Sequence, residues 1–321
     1  MLNRRVMAFG STALLLTTSA NAQAPGRIYR VGYMSLTPRE TCDHILAGLA
    51  QLGFVDGNNL TVDPSGASLA PAALEDHART LVGWRADGMF CAGDATVVAA
   101  QRVTRNIPIV ALAGDLVKSG FAASLNAPGG NVTGISLLSP ELDRKRVELL
   151  SDLLPQGRTF GVLADPISST EADVEALRLF AGKRGLKLDV AWTEDVAGVE
   201  PSFMRLKDAG VDGIIQLSSA ILFGGRHRLS ELGRDWSVPV MHQWPSTARE
   251  GGLIGYGPDL PKLARNVLAP MFALIFGGGS PASIPIQQPT IFELVINIEA
   301  AAKIGMSVPP GLLARADDVI E

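Results

Sequence analysis

Arg30-Val31-Gly32-Tyr33-Met34-Ser35-Leu36-Thr37 is a short apolar run that ends in small polar residues. The next segment, 41–52, spaces its apolar residues for a helix and stops at Gly53. The same alternation continues outward from this unit. Segment 60–63 reads as a strand, 71–84 as a helix, 88–92 as a strand, 96–104 as a helix and 108–113 as a strand. A βαβαβαβ order needs repeated crossovers, and these predict a parallel sheet covered by helices on both faces. The rhythm then starts again: helix 140–154, strand 158–164, helix 171–184, strand 186–192, helix 201–209, strand 213–217, helix 226–234 and strand 239–243. The fold class is therefore α/β, two doubly wound parallel-sheet lobes in tandem, repeated in element order but with no evident repeat of sequence. A long helical pattern at 260–276 ends at Gly277-Gly278-Gly279, which reads as a terminator and not a phosphate cradle, because it follows a helix and has no adjacent lysine. A last strand is expected at 292–296, then a short helix to Ile304, and the Val308-Pro309-Pro310 turn leads into 312–319.

Composition narrows the function. The chain has 321 residues, 47% hydrophobic and 19% charged, which suits a packed protein long enough for two cores. Its net charge of −4 gives no basic footprint for nucleic acid or for an anionic membrane. At the N-terminus, Asn3-Arg4-Arg5, the small and apolar run 6–16 and Ala20-Asn21-Ala22 occur in the order of a cleavable secretory signal, so residues 1–22 are expected to be removed and the product to be periplasmic. The paired arginines leave the general and twin-arginine export routes both open. The apolar run is shorter than the roughly 20 residues of a spanning helix. Cys42 and Cys91 could meet in an oxidising compartment, although two separate buried thiols are the simpler expectation.

Sequence signs of catalysis are missing. There is no Walker-type phosphate loop, no Gly-x-Ser-x-Gly elbow and no His-Glu-x-x-His pair. His44, His77, His227 and His242 have no metal-ligand spacing to a partner. No catalytic residue, metal or cofactor is expected. Ligands of open parallel sheets collect beyond the carboxyl ends of the strands. The candidate binding residues are therefore Ser35, Leu36 and Thr37 after the first strand, Gly93, Asp94 and Thr96 after the third, and Gly114 and Asp115 after the fourth. In the second half they are Asp165 and Ser168, Ser218 and Ser219, and His242, Gln243 and Trp244. Thr37, Asp94 and Ser168 also precede predicted helices, so capping and ligand contact are both open for them. A structural role competes for His242, and core packing competes with ligand stacking for Trp244.

Several strings together resemble a known family. The opening Val31-Gly32-Tyr33-Met34-Ser35, the run Pro128-Gly129-Gly130-Asn131-Val132-Thr133-Gly134, the run Gly251-Gly252-Leu253-Ile254-Gly255-Tyr256-Gly257 and the closing Phe292-Glu293-Leu294-Val295-Ile296-Asn297 look like the ABC-transporter substrate-binding proteins of the tryptophan and tyrosine type. The resemblance implies a type I periplasmic-binding-protein fold, with three crossover strands near 133–139, 253–257 and 287–292. It divides the chain into an N-terminal lobe, 27–137 with 257–287, and a C-terminal lobe, 138–256 with 288–321. It implies a monomer that captures a small molecule, an aromatic or amino-acid-like compound, and hands it to an ABC permease and its ATPase. A ligand sensor acting through a membrane receptor is the alternative. The chain departs from its relatives at Ala164-Asp165-Pro166-Ile167-Ser168, where they commonly have an asparagine-rich turn. It departs again at Leu217-Ser218-Ser219-Ala220, where they often have an aspartate that could hold an amino-acid ammonium group.

Overall fold

The computed structural model describes residues 26–321, so the expected leader lies outside the described residues. The first sheet consists of β1 (Tyr29–Ser35), β2 (Leu60–Val62), β3 (Gly88–Ala92), β4 (Ile109–Ala113) and β5 (Val132–Ser136). Its order is β2-β1-β3-β4-β5 and every pair is parallel. The helices α1 (Glu40–Gln51), α2 (Leu74–Gly83) and α3 (Asp94–Val103) make the crossovers. Both faces of this sheet are buried, as the near-continuous apolar strands require. Tyr29, Val31, Tyr33, Phe90 and Val110 point to one core, and the alternating residues Met34, Met89, Cys91 and Ala111 point to the other. Cys42 and Cys91 are two separate buried thiols.

The second half runs through α4 (Ser139–Leu153), β6 (Thr159–Ala164), α5 (Glu171–Gly182), β7 (Lys187–Trp192), α6 (Val199–Asp208), β8 (Gly213–Gln216), α7 (Ala220–Gly224), α8 (Arg226–Asp235), β9 (Val240–His242), α9 (Pro245–Arg249) and β10 (Ile254–Gly257). After α10 (Leu260–Leu263) and α11 (Ala269–Phe276), it closes with β11 (Glu293–Asn297), α12 (Ile298–Lys303), α13 (Pro310–Leu313) and β12 (Asp318–Ile320). The resulting seven-stranded sheet has the order β12-β11-β10-β9-β8-β6-β7. Only the β10–β11 pair in it is antiparallel, because the chain re-enters this sheet from the other lobe.

The predicted helix over 260–276 is interrupted by a π turn, Ala264–Leu268. Pro270 supplies the reason. It has no N–H to donate and its ring crowds the preceding turn, so the backbone widens there instead of breaking. Although this segment follows the second sheet in sequence, it packs on the first. Phe276 stacks on Tyr29 with ring centroids 4.6 Å apart, and Phe54 meets Tyr29 edge-on at 5.4 Å. Gly48 of α1 allows the close approach, since a Cβ there would lie 2.6 Å from the Arg265 carbonyl oxygen.

The chain passes between the sheets after β5, after β10 and between Gln287 and β11. At the first and third passages two extended segments are tied together. The Gln287 N–H donates to the Gly134 carbonyl and the Ser136 N–H donates to the Gln287 carbonyl, both at 2.9 Å. Gly134 has φ +142°, and a Cβ on it would stand 2.0 Å from the Ala111 carbonyl oxygen. No side chain fits without parting β4 from β5. Gly134→Ala is expected to cost about 3 kcal/mol or more of stability in chemical denaturation. Gly130→Ala, in the loop that precedes β5 and with nothing near its Cβ position, should change little. Equal effects of the two substitutions would refute this account.

Candidate functional site

The carboxyl ends of both sheets face one another, and the space between them is a cavity. About 520 Å³ of it, including the mouth open to solvent, is free of atoms. From the first sheet's loops it is lined by Thr37, Gly93, Asp94 and Gly114. From the second it is lined by Ser168, Ser218, Ser219, Gln243 and Trp244. Asp115 stands in the adjoining depression toward solvent, where its Oδ1 accepts from the N–H groups of Val117 and Lys118.

Five other predicted residues point elsewhere. Leu36 packs into the core beneath α2 and α3, and His242 faces away because side chains alternate along a strand and its neighbour Gln243 faces the cavity. Ser35 is fully buried and shares a 2.8 Å hydrogen bond with the Thr37 hydroxyl. The Thr96 hydroxyl donates to the Gly93 carbonyl at 2.7 Å. Asp165 is buried behind Ser168, where its Oδ1 accepts from the N–H groups of Ile167 and Ser168, each at 2.8 Å. None of Thr37, Asp94 and Ser168 occupies the capping position of the helix that follows it, and of these three helices only α5 has a side-chain cap. Arg39 precedes α1 without a side-chain cap, Gly93 precedes α3, and Thr170 caps α5 in a reciprocal box with Asp173.

Sequence reading missed Ser139, Ala220, Phe223 and Leu260, all of which reach the cavity. Three of these are apolar and carry no chemical signal. Ser139 sits just inside α4, after Leu138 in a left-handed conformation at φ +57°. Its hydroxyl is buried and makes no hydrogen bond among the described residues.

One buried cation organises the second lobe's side of the site. Arg146 of α4 pairs with Asp143 at 2.6 Å and donates to Ser218 Oγ at 2.7 Å, the Gln243 carbonyl at 2.8 Å and the Tyr256 carbonyl at 3.0 Å. The rigid fork of donors in a guanidinium thus joins the ends of β8, β9 and β10. Gln243 adds to this, since its Oε1 accepts from the Ser219 N–H at 2.9 Å and its Nε2 donates to the Ser219 carbonyl at 2.7 Å. These contacts set the serine loop and Trp244 in fixed positions against Phe223, with ring centroids 6.2 Å apart.

Asp94 is the one charged side chain among the described residues that line the cavity. Its Oδ2 accepts from the Gly114 N–H at 3.2 Å. Burial pushes its carboxyl up to about 6, and the nearby Asp165 carboxylate acts in the same direction. The lobes touch around the cavity. A Cβ on Gly93 would lie 2.8 Å from the Ala220 Cβ of the opposite lobe. Arg226, itself buried, donates to both oxygens of Glu40 across the divide, at 2.9 and 3.0 Å, and to Glu250 at 2.8 Å on its own side. Lys118 pairs with Asp173 across the mouth.

Two facing, mainly parallel sheets, three passages of chain and a cavity between the sheets define a two-lobed binding protein with the type I periplasmic-binding fold. The chain belongs to the ABC transporter substrate binding protein family, whose sequence model matches residues 37–320. Members of that family are extracytoplasmic substrate-binding proteins and not enzymes. The chain is similar to a tyrosine-binding protein of Clostridioides difficile, 23% identical over 283 residues, covering 86% of this chain and 81% of that one. Among solved structures it is similar to a conserved domain protein from Vibrio cholerae, at 28% identity and TM-score 0.83, covering 91% of this chain and all of that one. It also superposes, at TM-score 0.81 and 21% identity with the same coverages, on a Streptococcus pneumoniae domain solved in complex with L-Trp.

His242 gives the protein an acid sensitivity. Burial, with the positive charges of His227 and Arg226 adding to it, lowers its pKa from 6.5 to about 3. Its ring meets Gln216 Oε1 at 3.0 Å and Ser230 Oγ at 3.2 Å as a neutral imidazole. The unfolded chain binds the proton first, so the stability due to this site is whole above pH 6.5 and declines as pH falls toward 3. The loss should reach on the order of 4 kcal/mol. Denaturation from pH 7 to 4 should show a shallower acid decline in His242→Gln than in the natural chain, and identical slopes would rule this out.

Proposed function

We propose that this chain is exported to the periplasm and there, as a monomer, receives a small aromatic or amino-acid-like solute for an ABC permease and its ATPase. The observation that carries the reading is the cavity closed by strand-end loops from both sheets, with Trp244 and Phe223 on one wall and Asp94 on another. Residues 27–137 with 257–287 would form one lobe, and 138–256 with 288–321 the other, swinging about the passages near 133–139, 253–257 and 287–292. A solute touching both lobes favours the closed arrangement by the contacts it makes only there. Inverting a 1:99 population takes about 5.5 kcal/mol of differential binding. A few hydrogen bonds and one aromatic contact are of that order. The permease then needs to read only surfaces brought together by closure. Nothing in this cycle makes or breaks a covalent bond.

A thermal-shift screen of small metabolites tests the reading. A true ligand at 100 times its Kd should stabilise the protein by about 2.7 kcal/mol. It should also be recovered unchanged, and uptake of it should fail when the gene is deleted. Chemical conversion of the bound solute, or a library that leaves the protein unaffected, would count against it. Closure has its own test at Glu40, which is half exposed and whose loss leaves Arg226 still paired with Glu250. Glu40→Ala should weaken ligand affinity about 2- to 10-fold, chiefly through faster release, with little change in unfolding of the free protein. Unchanged release would remove this pair from the closing mechanism.

A further inference from the structure

The cavity contains a built acceptor for a positive charge and little provision for a negative one. Asp94, from the first lobe, and the Ser139 hydroxyl, from the start of α4, converge on Gly114. A Cβ there would lie 3.5 Å from Asp94 Oδ2 and 3.3 Å from Ser139 Oγ. Both side chains are more than nine-tenths buried, and Ser139 Oγ has no hydrogen-bond partner among the described residues. Behind them Asp165 Oδ2 is likewise buried without a partner. Two buried carboxylates, Asp94 and Asp165, thus stand near one another where the two lobes meet, with no cation paired to either among the described residues.

The cationic donors that would seat a carboxylate are committed within the protein. No lysine, arginine or histidine lines the cavity among the described residues, and the Arg146 guanidinium behind Ser218 is occupied by Asp143, Ser218 and two carbonyls. Several backbone N–H groups at the strand ends are also engaged. Those of Ile167 and Ser168 serve Asp165, that of Gly114 serves Asp94, that of Ser219 serves Gln243, and that of Leu222 serves Ser219. At the start of α4, Pro140 has no N–H, while Glu141 and Leu142 both donate to the Leu138 carbonyl.

We propose that the solute is a small primary amine without a carboxylate, its ammonium held between Asp94 and Ser139 and its apolar body against Trp244 and Phe223. This rests on the solute-binding reading above and narrows it, away from α-amino acids. A buried carboxylate is costly to hold alone, and a bound ammonium supplies the opposite charge that offsets its desolvation. Asp94, pushed up to about 6 with Asp165 beside it and no cation against it, is a carboxyl of this kind. The aromatic wall suits an ammonium compound as well as it suits an apolar chain.

The test uses the exported protein, unfolded and refolded to remove any co-purified solute. Calorimetric titrations are made with phenethylamine, isobutylamine, phenylalanine and phenylpropionate. An amine should bind at least about tenfold more tightly than phenylalanine, and phenylpropionate should give no heat. Asp94→Asn keeps an acceptor for the Gly114 N–H and should weaken amine binding about 10- to 100-fold, the range of one charge-assisted hydrogen bond. Its unfolding midpoint should hold or rise. Ser139→Ala should lower amine affinity by a smaller factor. Tighter binding of phenylalanine or phenylpropionate, no amine binding at millimolar concentration, or full amine affinity in Asp94→Asn would overturn the proposal. If solutes found by the thermal screen still bind in those cases, the solute-binding reading survives and only the amine assignment falls.

Discussion

Packing of residues 260–276 onto the first sheet is the contact on which the architecture turns. The face carrying Tyr29, Val31, Tyr33, Phe90 and Val110 is too broad for α1 alone, and the apolar segment with Phe272 and Phe276 completes its cover. Because this segment follows β10 in the chain, it can reach the first sheet only by leaving the second, and β11 must then return. The crossing chains are therefore a consequence of where apolar surface is buried. Three passages join the lobes while each keeps its own core, and the space between the sheets is left to the strand-end loops.

The cavity is the complement of that arrangement. Parallel strands end together, so their carboxyl-end loops gather at one edge of each sheet, and two such edges facing each other enclose a solute on all but one side. Arg146 makes the second lobe's edge rigid by collecting carbonyls from three strand ends, which gives the serine loop and Trp244 fixed places. The first lobe contributes Asp94, a charge in a setting that burial makes unfavourable without a partner. The polar groups of the site are thus unequal in kind. Those gathered around Arg146 and Gln243 largely satisfy one another, whereas Asp165 Oδ2 and Ser139 Oγ, on the side facing Asp94, are unpaired among the described residues. An unpaired buried acceptor is tolerated where a ligand completes it, so the imbalance points to the chemistry of the guest.

Much of the element order was readable because both relevant periodicities are strong. Strands such as 88–92 and 109–113 are apolar throughout, and helices such as 171–182 carry one apolar face, so neither depends on distant contacts for its type. The short elements were not readable. The five-residue helices α7 and α9 are held by contacts to other segments, Ser219 to Gln243 in one case and the Asn297 side-chain amide to the Ala248 carbonyl in the other, and too few residues are involved for a period to show. The π turn followed from Pro270, but only the packing of Gly48 against Arg265 decided that the chain would bend around the proline and continue. Strand-end logic located half of the cavity-lining residues. It could not separate Gln243 from His242 or Thr37 from Leu36, because which of two neighbours faces the cavity depends on register, and register is fixed across the sheet.

The amino-acid sequence by itself determined the repeated βα rhythm, the glycine that β5 requires, and the small polar residues at the strand tips. These are local properties, set by backbone sterics and by the spacing of apolar side chains. The tertiary structure alone decided how residues 260–276 cover the Tyr29 face of the first sheet, that Arg226 reaches Glu40, and that Asp94 and Ser139 meet at Gly114. Each of these joins residues distant in the chain, and such contacts are set by which surfaces exclude water together.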